Sequence, residues 1–247
     1  MTTIHLSLNT RERLGAGALT KKFDDAMQFA FERHRFHFRK GSRVPYLSHL
    51  MSVSSLALEH GASEDQAIAA LLHDAVEDAA EGQGPEVLQA IGQQFGESVR
   101  QMVEACSDTV NDDERGKPCW RDRKLAYVVG LRNAEAKSDE ALVVTAADKI
   151  HNAGSITRDL RTYGPQFWST FNAPSLDLLW YYTAVEAAVA DRLGGHTIVD
   201  ALHRAVDELI VASAFDRVTL PDVPSICRCP RHLPQANEVP AASATHR

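Results

Sequence analysis

Two histidines and two aspartates are the residues of this sequence whose types and spacing suit metal chemistry. His49 comes first, His73 and Asp74 follow as an adjacent pair, and Asp148 ends the apolar run that begins at residue 141. Imidazole nitrogens and carboxylate oxygens form a mixed ligand set that suits Mn²⁺, Fe²⁺, Zn²⁺ or Mg²⁺ better than a thiolate-seeking metal. Simpler explanations stay open, namely a hydrogen-bonded core histidine at position 49 and a structural ion pair at Asp148.

The adjacent pair lies on the most clearly marked helix of the sequence, which is predicted over 63–79. Ser63, followed three residues later by Gln66, forms a capping box that marks its start. At about 100° per residue, one face of this helix is aliphatic and the other carries four polar side chains, those of His73, Asp74, Glu77 and Asp78. Neighbouring residues on a helix diverge, so the pair can reach one metal only where that metal lies between helices of a bundle. A solvated polar face is the alternative.

The other elements are also predicted to be helices, because apolar residues recur at spacings of three and four and no hairpin signal separates alternating runs. The predicted helices cover 20–39, 45–59, 63–79, 85–94, 97–106, 120–136, 139–155, 175–193 and 197–214. The sequence therefore predicts an all-α fold with three parts. These are an N-terminal arm over 1–19, a helical body over 20–214 and a proline-containing, disordered tail over 215–247.

Composition and charge limit the classes of function. The chain has 247 residues and a formal net charge of −7, which is ordinary globular usage and unlike a general nucleic-acid binder. No stretch is apolar enough to span a membrane, the first residues do not form a signal peptide, and the four cysteines suggest no disulfide framework. We therefore expect a cytoplasmic protein whose partner is a small molecule rather than nucleic acid or a membrane. An anionic ligand would need a local basic patch, and residues 32–43 hold five Lys or Arg against one Glu.

Several short motifs resemble those of one family in order and spacing. Residues 45–49 (PYLSH) are similar to its PYxxH, residues 72–78 (LHDAVED) to LHDxxED, residues 95–96 to a recurring FG, and residues 147–152 (ADKIHN) to ADKLHN. The family is the hydrolase domain of the RelA/SpoT homologues, the (p)ppGpp pyrophosphohydrolases, among the HD-domain metal phosphohydrolases. The resemblance covers about residues 22–192 and is greatest to stand-alone small alarmone hydrolases of the metazoan SpoT-homologue type. It implies that the body is an HD-domain helical bundle with a C-terminal helical extension.

The resemblance also implies roles for the residues that could do chemistry. A metal ion, usually Mn²⁺ although other divalent metals stay open, would be held by His49, His73, Asp74 and Asp148. Glu77 and Asp78 would position and deprotonate the attacking water, as carboxylates beside a metal can do. The implied reaction is hydrolysis of the 3′-pyrophosphate of guanosine or adenosine alarmones such as (p)ppGpp, with release of pyrophosphate.

Substrate contacts follow from the same resemblance. Seven residues match positions around the nucleotide: Arg39 or Arg43 at the base, Tyr46 beside it, Arg123 and Lys124 at the phosphates, and Asn152 and Tyr181 at the ribose. Simpler explanations are a solvated helix end for the arginines, a surface helix for residues 121–124 and a core aromatic cluster for Tyr181. Two departures affect the substrate rather than the metal: Thr145 stands where the family has a lysine, and Arg43-Val44 replaces a Gly-Glu pair.

Three functions remain to be separated. The first is the alarmone pyrophosphohydrolase, and the second is an HD-type nucleotidase or NADPH phosphatase acting on another nucleotide. The third is a catalytically silent HD domain that senses nucleotides, which the retained Glu77 and Asp78 argue against. A homo-oligomeric state stays open from the sequence.

Overall fold

The computed structural model describes residues 19–80, 82–108 and 118–225, and nine α-helices lie within these ranges. They are α1 (Lys21–His34), α2 (Leu47–Glu59), α3 (Glu64–Leu72), α4 (Gly84–Phe95), α5 (Glu97–Cys106), α6 (Trp120–Leu131), α7 (Asp139–Tyr163), α8 (Ser175–Leu193) and α9 (Thr197–Ala212). Two 3₁₀ helices cover Pro165–Thr170 and Arg217–Thr219. Within these ranges the strand-like pairing is one isolated bridge between Phe38 and Pro45, so the all-α prediction is confirmed.

Helices α3 and α7 form the centre of the fold. Every residue of α3 from Gln66 to Leu72 is buried, and so is every residue of α7 from Ala141 to Asp148. Helix α7 packs against α2, α3, α5, α8 and α9. A helical stretch that is buried on all sides is held in place by its neighbours. These two stretches therefore give a rigid base to the polar residues where the stretches end.

Helix α3 ends at Leu72, so the prediction of one helix over 63–79 is wrong after that residue. The predicted capping box of Ser63 and Gln66 is present at its start. At its end, the His73 ring nitrogen Nδ1 bonds the Ala70 carbonyl at 2.8 Å, and the chain continues in turns with a hydrogen bond from the Ala75 amide to the Leu72 carbonyl at 2.9 Å. His73, Asp74, Glu77 and Asp78 therefore lie on turns and not on one face of a regular helix.

Three other helix ends differ from the predictions. Helix α1 stops at His34 instead of residue 39, because the following segment folds back and the Tyr46 amide bonds the His37 carbonyl at 2.8 Å. Helix α6 stops at Leu131 instead of residue 136. Helix α7 runs to Tyr163 instead of residue 155, and it ends where Gly164 adopts a φ of 78° that favours glycine.

The segment after α9 contacts α8 over part of residues 215–225, which the sequence analysis assigned to a tail over 215–247. The Trp180 indole nitrogen on α8 donates to the Asp222 carbonyl at 2.9 Å, and the Ser225 hydroxyl donates to the Asp177 carboxylate at 2.7 Å. Residues 226–247 of the predicted tail and residues 1–18 of the predicted arm lie outside the described residues. None of the described helices is long and apolar enough to cross a membrane.

Candidate active site

The four predicted metal ligands meet at one point between α2, α3 and α7. His49 comes from α2, His73 and Asp74 from the turns after α3, and Asp148 from α7. The His49 Nε2 atom lies 3.3 Å from Asp148 Oδ1 and 3.5 Å from Asp74 Oδ2. The His73 Nε2 atom lies 3.0 Å from Asp74 Oδ2 and 3.5 Å from Asp148 Oδ1. Two nitrogens and two oxygens therefore surround a common centre.

The other nitrogen of each histidine ring is held away from that centre. His73 Nδ1 bonds the Ala70 carbonyl, and His49 Nδ1 lies 2.7 Å from Nδ1 of His151, which comes from the next turn of α7. These contacts point both Nε2 atoms at the carboxylates, in the way that outer hydrogen bonds orient histidine ligands. His73 Nε2 is buried and has no hydrogen-bond partner within the described residues.

Both carboxylates stay ionised although they are buried. Burial opposes the ionisation of Asp74, but His73 and His49 outweigh it and hold its pKa well below the ordinary value. Burial also opposes ionisation of Asp148, and the Lys149 ammonium at 2.5 Å together with the two histidines holds its pKa well below the ordinary value. The Tyr46 hydroxyl donates to Asp74 Oδ2 at 2.6 Å. Two anionic oxygens and two aimed imidazole nitrogens fit a divalent metal ion.

Glu77 and Asp78 follow the ligands in sequence but lie on different sides of them. Glu77 lines a small cavity with His73, Asp74 and Asp148, and its Oε1 atom accepts from the Asp108 amide at 2.7 Å. Burial raises the pKa of Glu77, and the charges of Asp108 and Asp74 add to the effect.

Asp78 does not line that cavity, and its Oδ2 atom instead lies 3.6 Å from His34 Nδ1. Burial together with the charges of Asp74 and Glu77 raises the pKa of Asp78 to about 7. The predicted pair is thus split, with Glu77 in the cavity beside the predicted ligands and Asp78 against the end of α1.

Cationic side chains border the same small cavity, which has a volume of about 40 Å³. Lys124 on α6 is 2.6 Å from Asp108 Oδ2, and Arg123 is 2.5 Å from Asp108 Oδ1. Lys149 on α7 also lines the cavity, although it was not among the predicted site residues. Its position inside the ADKIHN motif was the signal that could have found it.

Tyr181 belongs to a core aromatic cluster, and its predicted contact with the ribose stays a prediction. It is 5% exposed and its ring contacts Trp120, Tyr127 and Tyr182, so it belongs to an aromatic cluster. It also lines the small cavity, where the Lys124 and Lys149 ammonium groups lie 4.8 Å and 5.3 Å from its ring centre. A buried aromatic ring that faces two ammonium groups fixes their positions through cation–π attraction.

A larger cleft of about 780 Å³ opens on the other side of Tyr46 and His151. Arg39 lies in it and donates from Nη2 to the Asn152 side-chain oxygen at 2.6 Å, so these two predicted contacts are brought together. Arg43 is exposed and does not line the cleft, which favours Arg39 for the base position. The far wall is aromatic, and sequence reasoning missed its members, which are Tyr163, Phe167, Phe171 and Tyr182.

A family model described as HD domain matches residues 26–173, which is more than half of the chain. The chain belongs to the HD-domain family. The matched residues include the four that meet at the centre, so these four residues and the helices next to them belong to the HD domain. Helices α8 and α9 and the segment that follows them lie beyond the matched residues.

Curated relatives of this HD domain come from bacteria. The bifunctional (p)ppGpp synthase/hydrolase SpoT of Escherichia coli (strain K12) is 30% identical over 147 residues, which are 57% of this chain and 19% of the relative. A probable GTP pyrophosphokinase of Mycobacterium leprae is 27% identical over 173 residues, 68% of this chain and 19% of the relative. The chain therefore spans about a fifth of the length of the curated relatives that it matches.

Solved structures share the fold as well. One is described as a metazoan ortholog of SpoT that hydrolyzes ppGpp and plays a role in starvation responses. It is 26% identical, with a TM-score of 0.55, and the match covers 81% of this chain and all of that one. A Listeria monocytogenes structure at 23% identity and a TM-score of 0.53 shows the same fold.

Proposed function

We propose that this HD domain hydrolyses the 3′-pyrophosphate of guanosine or adenosine alarmones such as (p)ppGpp and releases pyrophosphate, with the help of a divalent metal ion. The observation that carries the proposal is the meeting of His49, His73, Asp74 and Asp148 beside a cavity that Glu77, Lys124 and Lys149 also line. The names of the bacterial relatives and of the metazoan structure point to the same substrate.

The metal would be held by the four meeting residues. When bound, a divalent metal supplies Lewis acidity, which lowers the pKa of water and makes it a nucleophile near neutral pH. The chain's own part is to hold the ligands in place, and Tyr46 and His151 do so through their bonds to Asp74 and His49.

Glu77 is the carboxylate in place to accept a proton from the attacking water. It lies in the cavity with the ligands, and its raised pKa brings it nearer to the operating pH, where a general base works best. The bond from the Asp108 amide to Glu77 Oε1 holds the carboxylate in one orientation. Asp78, which faces His34, would contribute its charge from outside the cavity.

Lys124, Lys149 and Arg123 would hold the pyrophosphate. The two ammonium groups lie beside Tyr181 on the cavity wall, and Asp108 holds Lys124 and Arg123 in place. Thr145, which stands where the family has a lysine, is buried and shares a hydrogen bond with the Tyr127 hydroxyl at 3.1 Å. The loss of that cation leaves Lys149 and Lys124 as the cations that line this cavity.

The nucleoside would occupy the larger cleft, next to Tyr46. Arg39 and Asn152 present a guanidinium and an amide at its entrance, which suit the polar edge of a base and a ribose hydroxyl. Planar aromatic walls suit the face of a base. Aromatic faces suit the rings of guanine and adenine alike, so the proposal includes both alarmones.

A substrate panel tests the proposal. The full chain is incubated with Mn²⁺ and ppGpp, pppGpp, ppApp, NADPH or a simple nucleotide, and products are separated by chromatography. Release of pyrophosphate from a 3′-pyrophosphate nucleotide is expected. Turnover of NADPH or simple nucleotides alone would identify the second function, and binding of ppGpp with no turnover of any substrate would identify the sensor.

We also propose manganese as the metal, a cytoplasmic location and a homo-oligomeric state. A donor set with two nitrogens and two oxygens supports manganese but also suits iron or zinc. Metal analysis of the protein as purified tests the first part. Cell fractionation tests the second, and sedimentation equilibrium tests the third.

A further inference from the structure

A second cluster of metal-binding side chains lies next to Tyr46. It consists of His34 at the end of α1, His37 three residues later, and Asp78 from the turns after α3. His34 stacks on the Tyr46 ring with centres 5.3 Å apart. One ligand atom from each of the three residues lies within 4.8 Å of the others. None of these atoms belongs to the first cluster.

The spacing of this second cluster matches that of a metal site. The His34 Nδ1 atom lies 3.2 Å from His37 Nδ1 and 3.6 Å from Asp78 Oδ2. Ligand atoms at about 2.1 Å from a tetrahedral metal lie roughly 3.4 Å from one another. The nitrogen-to-oxygen distances of the first cluster run from 3.0 to 3.5 Å, so the two clusters have similar dimensions.

A hydrogen bond alone does not account for the arrangement. One proton can join the two Nδ1 atoms, but Asp78 Oδ2 then stays 3.6 Å from His34 Nδ1, beyond hydrogen-bond distance. His34 is 1% exposed, so water does not reach its ring freely. An imidazole nitrogen that carries no proton presents a lone pair, which a metal can accept.

We propose that His34, His37 and Asp78 form a second divalent-cation site. Two imidazoles and one carboxylate are a ligand set for Zn²⁺ or a similar transition metal, and three protein ligands leave a fourth position for an external oxygen. The Asp78 side chain is 37% exposed, so the cluster is open to solvent on the Asp78 side. The site gives Asp78 a ligand's task and leaves proton transfer to Glu77.

Metal counting on the full chain, prepared without an affinity tag, tests the site. The protein is dialysed against Co²⁺, and bound cobalt is measured by mass spectrometry. His37→Ala should lose roughly one equivalent relative to the parent chain, and Asp148→Asn, which damages only the first cluster, should keep that equivalent. His60→Ala is the matched control, because His60 is a half-buried histidine that bonds Thr197 on α9 and belongs to neither cluster.

The outcomes separate the two clusters. Equal cobalt in the parent chain and His37→Ala contradicts the second site, whatever Asp148→Asn does. A loss in His37→Ala with no loss in Asp148→Asn supports the second site and counts against the first. Because a folding defect would also release metal, circular dichroism and thermal unfolding accompany each variant. His37→Gln, which keeps a polar side chain of similar size, should lose the same equivalent.

Discussion

At the scale of single residues, groups outside the proposed metal ligands decide where those ligands point. Tyr46, His151 and the Ala70 carbonyl each hold one ligand through a single contact, to Asp74, His49 and His73. The motifs predicted that the four proposed ligands and Glu77 lie together, and the structure brings them together. The contact between His151 and His49 could not be predicted, because these two residues are far apart in the sequence and meet only in the fold. The sequence also does not show which ring nitrogen of a histidine makes a hydrogen bond.

The bond from Tyr46 to Asp74 should strengthen metal binding. Tyr46→Phe removes only the hydroxyl, and we expect metal affinity to fall about 10- to 100-fold, as for other outer hydrogen bonds of metal ligands. Calorimetric titration with Mn²⁺ measures the change. Tyr163→Phe, at an exposed position in the larger cleft, is the control and should leave the affinity unchanged.

Glu77 should act on the rate and not on metal binding. Glu77→Gln keeps the size of the side chain but removes the base, so we expect kcat for ppGpp to fall by about 10²- to 10⁴-fold. Bound metal and KM should change little. Glu86→Gln, on the exposed start of α4, is the matched control. Full turnover in Glu77→Gln would assign the proton transfer to another group.

At the scale of elements, the important feature is that α3 ends just before the ligands. The residues up to Leu72 are apolar and buried, and the next residues turn, so a rigid helix delivers His73 and Asp74 to the junction with α2 and α7. Sequence periodicity predicted a helix through residue 79 because apolar residues keep a helical spacing up to that residue, although the helical backbone ends at Leu72. The bond from the His73 ring to the Ala70 carbonyl is a tertiary detail that periodicity does not report.

The start of α3 should contribute measurably to stability. Ser63→Ala removes the hydroxyl that accepts from the Gln66 amide, and the free energy of unfolding should fall by about 0.5–2 kcal/mol. Urea denaturation followed by circular dichroism measures it. Ser98→Ala, at an exposed position inside α5, should not lower stability. An equal fall in the free energy of unfolding for both variants would show that the Ser63 cap stabilises the fold no more than another exposed serine does.

Lys137, between α6 and α7, should make stability depend on pH. Its ammonium group bonds the Ala105 carbonyl on α5 and lies 3.8 Å from the Tyr127 ring centre, and burial lowers its pKa to about 8. The unfolded chain, with a lysine pKa near 10.5, binds more protons between these two values, so this group stabilises the fold as pH rises through that interval.

Lys137→Met should remove that dependence. We expect the free energy of unfolding of the variant to exceed that of the parent chain most near pH 7. The gap between these two free energies should narrow toward pH 10, because the parent lysine is then neutral in the fold. Urea denaturation of the metal-free protein at several pH values measures the gap. A gap that stays constant with pH would show that Lys137 titrates as an ordinary lysine.

At the scale of the whole molecule, the HD domain is extended at its C-terminal side. Arg217 joins α8 and α9 through Glu186 at 3.0 Å and Asp207 at 2.6 Å, and the chain then runs to Ser225 along α8. Prolines in this segment predicted disorder from residue 215. Composition does not show that Ser225 contacts Asp177 on α8, so the contacts of this segment with α8 could not be predicted.

We claim that the cluster of His49, His73, Asp74 and Asp148 carries out metal-dependent hydrolysis of a 3′-pyrophosphate. The most direct test is the rate of pyrophosphate release from ppGpp, followed by phosphorus NMR, for the parent chain and Asp148→Asn at saturating Mn²⁺. We expect turnover by the parent chain that stops on chelation. We also expect a loss of more than about 100-fold in the variant, beyond the cost of one outer hydrogen bond. Equal turnover by the two proteins, or turnover that survives chelation, would contradict the claim.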